Sequence, residues 1–218
     1  MSGKFYTKTI KDLSPVLFEH VDDPDRGVYS VARGEVDIKT KTCYDVTTIF
    51  PGLVGRELPK TFGHYHPKNS NGLRYPELYE VLDGRAWFII QQPRESNPKI
   101  IEEAYLIEAG KNEKIVIPHG FGHVTINPDK KELKMANWKA EFENDYQLYE
   151  SLHGAAYYFL ELESERVDIE KNNYYETVPE LIKLKPKQFP KELENLEFLL
   201  KPEKYLELLT IDNCFKRI

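Results

Sequence analysis

Residues 118–127 read Pro-His-Gly-Phe-Gly-His-Val-Thr-Ile-Asn, a glycine-containing turn that runs into a short β-branched strand. Written as Pro-x-Gly-x-x-His-x-x-x-Asn, the segment has four fixed residues. At about 5% for each residue type, they would coincide by chance in on the order of one in a thousand chains of this length. Alternate residues of a strand share a face, so His123, Thr125 and Asn127 are predicted to point into one interior. His119 lies in the turn before the strand, and we expect it at the rim.

A second histidine pair lies upstream, in the segment Gly63-His64-Tyr65-His66-Pro67. On a β-strand, His64 and His66 would project into one interior and Tyr65 would point the other way. A His-x-His pair by itself is usually part of a half-exposed strand. Its occurrence together with the 118–127 segment favours a different interpretation, in which imidazoles from both segments meet at a shared metal site.

A carboxylate can complete this site from another strand. Glu77 begins the run Glu-Leu-Tyr-Glu-Val-Leu-Asp-Gly of residues 77–84, in which Glu77 and Tyr79 share a face. Glu80 is the alternative ligand, although it would lie on the same face as Leu78. We therefore expect Glu77 to be the ligand and keep Glu80 as the second choice.

The chain from Gly27 to about Tyr158 consists of short runs rich in Val, Ile, Tyr, Phe and Thr. These runs are GVYSVA, CYDVTTIF, ELYEVL, RAWFII, AYLIEA, EKIVI, HVTIN, LKMANW and AAYYFLELE. Turn signals fall between them at Pro51-Gly52, Asp83-Gly84, Ala109-Gly110 and Asn127-Pro128-Asp129. Short strands at such spacing predict a sandwich or barrel of antiparallel strands over residues 27–178.

Two different segments flank the predicted barrel. Residues 1–26 mix charged residues with prolines and are predicted to form an N-terminal arm with a strand or a short helix. Residues 179–218 are predicted to form a C-terminal helical appendage. In it, leucines recur at helical spacing after Pro190, and Pro202 begins a second short helix.

Composition limits the class of protein. The 218 residues carry a formal net charge of −6, which argues against a general nucleic-acid binder or an anionic-membrane binder. The first residues lack the apolar core of a signal peptide, and no run of about 20 apolar residues is present. We therefore expect a cytoplasmic protein without nucleic-acid or membrane partners. Cys43 and Cys214 form no disulfide framework.

Taken together, the two histidine segments resemble the paired cupin motifs, which are His-x-His followed by Glu-x6-Gly, and Pro-x-Gly-x-x-His-x-x-x-Asn. The resemblance implies an all-β fold, a double-stranded β-helix (cupin) barrel, and the leucine spacing adds the short C-terminal helical appendage. It implies one metal ion bound by His64, His66, Glu77 and His123. The chain departs from the motif in the insertion of residues 67–76 between His66 and Glu77.

Three imidazoles and one carboxylate suit a divalent first-row ion such as Fe, Mn, Co, Ni or Zn, with two open positions if the site is octahedral. Such an ion can polarise a carbonyl and stabilise an enediolate, or it can bind O2. The four ligands do not decide between these reactions. A cupin Fe(II) dioxygenase acting on a small organic substrate and a non-catalytic sugar-binding cupin are therefore the alternatives to an isomerase.

A narrower resemblance covers about two thirds of the chain, from Asp25 to Tyr175. This region is similar to the cupin-type glucose-6-phosphate isomerases of archaea. The matching residues are Tyr44-x-x-Thr-Thr-Ile-Phe-Pro-Gly-x-Val-Gly-x-Glu57, Thr61-x-Gly-His-Tyr-His66, Glu77-x-Tyr79, His123-x-Thr-x-Asn127 and Asp145-Tyr146. The resemblance implies interconversion of glucose 6-phosphate and fructose 6-phosphate, a step of glycolysis and gluconeogenesis, by a homodimer.

The same resemblance implies roles for individual residues. Thr47, Thr61 and Gly63 would contact the substrate around its phosphate. Glu77 would be the base as well as a ligand, and Tyr79 and Tyr146 would hold the substrate. Proton transfer and a hydride shift have the same residue requirements, and both routes stay open.

The chain departs from this family at two further places. Asn144-Asp145-Tyr146 stands where family members have His-Asp-Tyr, and a tyrosine of the preceding strand is replaced near Trp138-Lys139. Arg56, Lys60 and Arg74 are the candidates for additional positive charge near the phosphate.

Overall fold

The structure is a computed structural model that describes residues 4–162 and 166–218. Its strands, in chain order, are β1 Phe5–Thr9, β2 Gly27–Val36, β3 Thr42–Ile49, β4 Glu77–Asp83, β5 Arg85–Arg94, β6 Asn97–Gly110, β7 Lys114–Ile117, β8 Gly122–Ile126, β9 Leu133–Ala140, β10 Tyr157–Glu161, β11 Val167–Lys171, β12 Ile182–Pro186 and β13 Phe215–Arg217. Three short helices are α1 Ile10–Leu13, α2 Gln147–Ser151 and α3 Ile211–Cys214. Single 3-10 turns span Ser14–Val16, Lys191–Leu193, Glu197–Leu199 and Pro202–Lys204. Each of the nine predicted strand runs overlaps one of these strands, and Glu163, the end of the last run, lies outside the described residues.

Two sheets form the barrel. The first is six-stranded, in the order β1-β2-β3-β9-β4-β7, and the second is five-stranded, in the order β13-β12-β6-β5-β8. Residues 60–66 extend the second sheet past β8, since Lys60 bridges Ile126 and His64 bridges His123. Strands β10 and β11 form a separate two-stranded sheet.

The chain alternates between the two barrel sheets after β3. Residues 60–66 lie in the second sheet, β4 in the first, β5 and β6 in the second, β7 in the first, β8 in the second and β9 in the first. This alternation winds the chain as a double-stranded β-helix, so the cupin barrel expected from the two motifs is confirmed.

The burial pattern of the strands explains the barrel. The side chains of β3 alternate between buried and partly exposed, and those of β8 are buried throughout. The β4–β5 hairpin turns at Gly84, whose φ of +85° is a backbone conformation that favours glycine. A Cβ at this position would also lie 3.0 Å from the carbonyl oxygen of Glu132. The Asp83-Gly84 hairpin read from the sequence is therefore present.

The N-terminal arm contains both predicted types of element. Strand β1 pairs antiparallel with β2 at the edge of the first sheet. It ends at a capping box, in which the Asp12 backbone N–H donates to Thr9 Oγ1 over 3.4 Å and the Thr9 backbone N–H donates to Asp12 Oδ2 over 2.8 Å. The predicted boundary after residue 26 stays a prediction, since the arm pairs with a barrel strand.

The C-terminal segment differs in detail from the expectation. Its helical content consists of single 3-10 turns and the four-residue α3, not two continuous helices. Leu196 has a left-handed φ of +61°, which interrupts the first predicted helix although Leu193 and Leu199 are buried as its spacing requires. Strand β12 pairs in parallel with β6 and in antiparallel with β13, which the sequence did not indicate.

Cys43 and Cys214 are free thiols. Among the described residues, no helix combines the length and the apolar character that crossing a bilayer requires.

Candidate metal centre

Four predicted ligands meet inside the barrel. The candidate ligand atoms of His64, His66, Glu77 and His123 all lie within 4.8 Å of one another. His66 Nε2 lies 3.1 Å from Glu77 Oε2, and His123 Nε2 lies 3.2 Å from the same oxygen. His64 Nε2 is 3.7 Å from Glu77 Oε2 and 3.1 Å from His66 Nε2. Three imidazole nitrogens therefore surround one carboxylate oxygen.

Three separate segments bring these atoms together. The 60–66 segment carries both histidines of the first pair and is hydrogen-bonded to β8, where His123 lies directly across from His64. Gly63 makes this approach possible, because its φ is +84° and a Cβ there would lie 2.4 Å from Val124 Cγ2. Glu77 enters from the opposite sheet, as the first residue of β4.

Of the alternative ligands that the sequence left open, Glu77 and His123 belong to the cluster. Among the described residues, neither Glu80 nor His119 is part of the cluster. His119 instead lines a separate, outer groove. Tyr65 points away from the cluster as expected, with its hydroxyl accepting a hydrogen bond from Gln91 Nε2 over 2.9 Å.

Neighbouring groups orient the candidate ligands. Asn137 Nδ2 donates to Glu77 Oε1 over 2.7 Å, and the Tyr79 hydroxyl lies 3.1 Å from Glu77 Oε2 and 2.9 Å from His123 Nε2. Tyr79 is thus placed to donate a hydrogen bond at the centre of the cluster. His123 Nδ1 is buried and has no hydrogen-bond partner in the described part of the chain.

The inserted segment 67–76 holds His66 from two sides. His66 Nδ1 lies 2.7 Å from the Tyr75 carbonyl oxygen, so the ring donates there and Nε2 keeps its lone pair for the centre. The Arg74 guanidinium donates from Nη1 to the His66 carbonyl oxygen and lies over the ring of Tyr65. Arg74 therefore contacts the backbone of a ligand residue.

Electrostatics favour neutral His64 and His123 and an ionised Glu77. Burial lowers the pKa of His123, and burial together with the neighbouring imidazole of His123 lowers the pKa of His64 well below its usual value. Burial opposes ionisation of Glu77, but the surrounding imidazoles of His123, His64 and His66 bring the pKa of Glu77 well below its usual value. Neutral imidazoles and an ionised carboxylate are the forms that bind a cation.

The geometry fits a divalent first-row ion. Two ligand atoms bound at about 2.1 Å from one ion, and at a right angle to each other, lie about 3 Å apart. Of the six pairs of ligand atoms, three are 3.1–3.2 Å apart, a fourth is 3.7 Å apart, and all lie within 4.8 Å. The side chain of His64 is 14% exposed, whereas those of His66, Glu77 and His123 are 1–2% exposed. The cluster is consequently accessible from the His64 side.

A cavity of about 50 Å³ lies on that side of the cluster. Every residue predicted for catalysis or substrate binding lines it, namely Thr47, Thr61, Gly63, Glu77, Tyr79 and Tyr146. Tyr146 is 39% exposed, and its ring lies 5.8 Å from that of His64 and edge-on to Phe62 at 5.4 Å. The sequence thus identified residues that meet in space, at the mouth as well as in the interior.

Sequence reasoning missed two cations in the same cavity, Arg33 and Lys139. Arg33 forms an ion pair with Asp45 and donates to the Tyr6 hydroxyl over 3.1 Å. Lys139 is 4% exposed, and burial lowers its pKa. Neither cation has a local sequence signal, because each lies on a strand whose neighbours in the sheet are set by the tertiary structure.

The two positions at which the chain departs from the family pattern are in contact. Lys139 Nζ donates to Asn144 Oδ1 over 3.1 Å, and Asn144 Nδ2 donates to the Tyr146 hydroxyl over 3.2 Å. A lysine and an amide therefore form part of the polar wall near the predicted substrate tyrosine.

The cations proposed from the sequence lie outside this cavity. Arg56 pairs with Glu19, with 3.1 Å between Nη2 and Oε2, in an exposed position. Lys60 is buried but forms an ion pair with Glu57 and donates to the Val16 carbonyl oxygen over 2.8 Å. Arg74 and His119 line the outer groove, which has a volume of about 830 Å³.

Comparison with known proteins agrees with this site. Residues 17–177 match the model of the glucose-6-phosphate isomerase family. The chain is 28% identical over 142 residues to the glucose-6-phosphate isomerase of Thermococcus litoralis, a match that covers 65% of this chain and 64% of that protein. It is 32% identical over 130 residues to the glucose-6-phosphate isomerase of Pyrococcus furiosus, covering 59% of this chain and 63% of that protein. The chain thus spans just under two thirds of the length of these relatives.

Among solved structures, oxalate oxidase in complex with glycolate overlaps 51% of this chain and 50% of its own, at 19% identity and a TM-score of 0.39. The match to the family model covers residues 17–177, a larger part of the chain. This range includes the four candidate ligands and all the residues predicted to contact the substrate. The chain therefore belongs to the cupin-type glucose-6-phosphate isomerase family.

Proposed function

We propose that this protein is a metal-dependent aldose–ketose isomerase that interconverts glucose 6-phosphate and fructose 6-phosphate. The observation that carries the proposal is the convergence of three imidazoles and the Glu77 carboxylate at the wall of a cavity lined by hydroxyl groups. Membership of the family supports it, since the relatives described above are glucose-6-phosphate isomerases.

In this proposal His64, His66, Glu77 and His123 bind one Fe, Mn, Ni or Zn ion. Such an ion supplies a Lewis acid that polarises the carbonyl oxygen of the open-chain sugar. The protein supplies the remaining groups. The Glu77 carboxylate is ionised in the neutral range, because its pKa is well below the usual value, and it can accept a proton.

Tyr79 and Tyr146 act as hydrogen-bond donors rather than anions. Burial raises the pKa of both phenols, and the nearby Glu77 carboxylate raises that of Tyr79 further. Tyr79 lies within hydrogen-bond distance of Glu77 Oε2 and can orient the carboxylate. Tyr146 accepts a hydrogen bond from Asn144, which leaves its own proton for a substrate oxygen.

The phosphate is expected beside Thr47, Thr61 and Gly63. Hydroxyl groups and a backbone N–H can donate to phosphate oxygens without a large basic patch, which agrees with the acidic net charge.

A reconstitution experiment tests the proposal. The purified protein is stripped with a chelator, and conversion of fructose 6-phosphate is measured before and after adding Fe, Mn, Ni or Zn. We expect activity to disappear with the metal and to return with at least one of the ions. Absence of isomerisation with every ion would refute the proposal, and iron-dependent O2 consumption in the same samples would favour a dioxygenase.

We also propose a homodimer. Strand β1 is the outer strand of the six-stranded sheet, and its Phe5 side chain is 68% exposed. An unpaired strand edge next to an exposed aromatic side chain is a suitable contact for a second copy. The mass measured by light scattering after size exclusion distinguishes a dimer from a monomer.

A further inference from the structure

Lys139 is a buried cation in the cavity wall without a carboxylate partner. Its Nζ donates to the Phe142 carbonyl oxygen over 2.9 Å and to Asn144 Oδ1 over 3.1 Å, and it lies 4.1 Å from the centre of the Phe142 ring. None of the described Asp or Glu side chains forms an ion pair with it. Burial of an unpaired charge is costly, so such a group usually has a ligand or a function.

The position of Lys139 in β9 places it at the metal end of the cavity. Asn137, two residues earlier on the same face, donates to Glu77 Oε1. Tyr79 pairs with Asn137 across β4 and β9, and Leu78 with Trp138, so Glu77 comes next to Lys139 in the same register.

The distance to the predicted phosphate contacts supports this placement. Thr47 pairs with Met135, four residues from Lys139 on β9, which corresponds to about 13 Å along the strand. Phe142, which lies against the Lys139 ammonium, also packs on His66 with ring centres 4.7 Å apart. The backbone position of Lys139 is therefore next to the ligand residues and four residues along β9 from the position that pairs with Thr47.

The charge of Lys139 is available to a ligand. The other cation of the cavity, Arg33, is neutralised by its ion pair with Asp45. The lysine ammonium has three N–H donors, of which two bind Phe142 and Asn144. One N–H donor therefore remains for a ligand.

We propose that Lys139 is a catalytic electrophile, whose ammonium binds the negative charge that develops on the C1 and C2 oxygens of the substrate during isomerisation. The inference rests on the proposed function and adds a protein group to the reacting end of the substrate. Lys139 keeps its protons throughout. Isomerisation moves one hydrogen between C1 and C2 and one between their oxygens, and neither comes from Lys139. A fixed positive charge at a buried position stabilises such an oxyanion more strongly than the same charge in water.

The kinetic test compares Lys139→Met with Lys134→Met. Lys134 is exposed on the same strand and faces outward, so its replacement is a matched control. We expect Lys139→Met to lower kcat about 100-fold while KM for fructose 6-phosphate stays within about threefold, as for the loss of one oxyanion donor. Lys139→Arg should recover part of kcat. An unchanged kcat, or an equal loss in Lys134→Met, would overturn the inference.

Metal affinity separates a catalytic role from a structural one. Removing a cation from the neighbourhood of the ligands should leave the affinity for added Mn or Zn, measured by chelator competition, unchanged or tighter. A variant that binds metal more weakly has lost the shape of the site, and that result would assign Lys139 a structural role instead.

A binding measurement tests the inference without turnover. The probes are a five-carbon aldonic acid 5-phosphate, whose carboxylate mimics the charge at C1 and C2, and the corresponding alditol 5-phosphate, which is uncharged there. Titration calorimetry on the metal-loaded protein should show a preference for the acid that drops at least tenfold in Lys139→Met. If the preference depends on Lys139 but the protein shows no isomerase activity, the proposed function is refuted while the role of Lys139 in binding the charge is supported. If the preference is the same in both proteins, the inference fails whatever the enzyme does.

Discussion

Replacing Gly63 by alanine should destabilise the protein through two separate effects. Gly63 has a φ of +84°, a left-handed conformation that costs a residue with a Cβ about 1–2 kcal/mol. The added Cβ would also lie 2.4 Å from Val124 Cγ2, and relief of such overpacking costs about 1–3 kcal/mol. The free energy of unfolding should therefore fall by about 2–5 kcal/mol, which for a chain of this size lowers Tm by about 4–20 °C.

Gly72→Ala is the matched control for this experiment. Gly72 has a φ of +79°, close to that of Gly63, but a Cβ there would meet nothing within 4 Å. Its replacement carries the backbone cost alone, about 1–2 kcal/mol. Urea denaturation of both variants in metal-free form gives the two free energies of unfolding. The steric part of the reasoning is refuted if Gly63→Ala is no more destabilising than Gly72→Ala.

Two further predictions concern charged groups. Arg74→Met should weaken metal binding by about 10–100-fold, because Arg74 positions the backbone of His66. Chelator competition measures the affinity, and Arg94→Met, in the same groove, is the control that should not change it. An Arg74→Met variant that binds metal as tightly as the unchanged protein would contradict this role. Glu57→Gln should lower the free energy of unfolding by about 3–5 kcal/mol, since it leaves the Lys60 ammonium buried without its ion-pair partner. The double variant with Lys60→Met should recover part of that loss in urea denaturation, and a double variant less stable than the single one would contradict the explanation.

Much of the barrel follows from short-range sequence signals. The period of two in runs such as ELYEVL and HVTIN predicts strands, and Asp83-Gly84 predicts the turn between β4 and β5. The histidine pairs are also local signals, since both imidazoles of His64-x-His66 must point to one side of an extended segment. These parts need no knowledge of the rest of the chain.

Contacts made by the rest of the chain escape such reasoning. His66 Nδ1 meets the Tyr75 carbonyl oxygen only because the 67–76 segment folds back, which depends on tertiary structure. Lys139 reads as an ordinary strand lysine until β9 is placed beside β4. The C-terminal leucines fit a helix by spacing, but pairing of β12 with β6 and the left-handed Leu196 give single turns instead.

Because the candidate ligands lie on both sheets, a metal ion bound by them would cross-link the two halves of the barrel. Glu77 belongs to the first sheet and His123 to the second, so a bound ion ties strands that share no backbone hydrogen bonds. Because a metal that binds the folded state and not the unfolded chain adds to stability by mass action, folding and metal supply are linked. Cells grown without the preferred ion would then contain less of the protein as well as a less active one, since the metal-free barrel is more exposed to proteolysis.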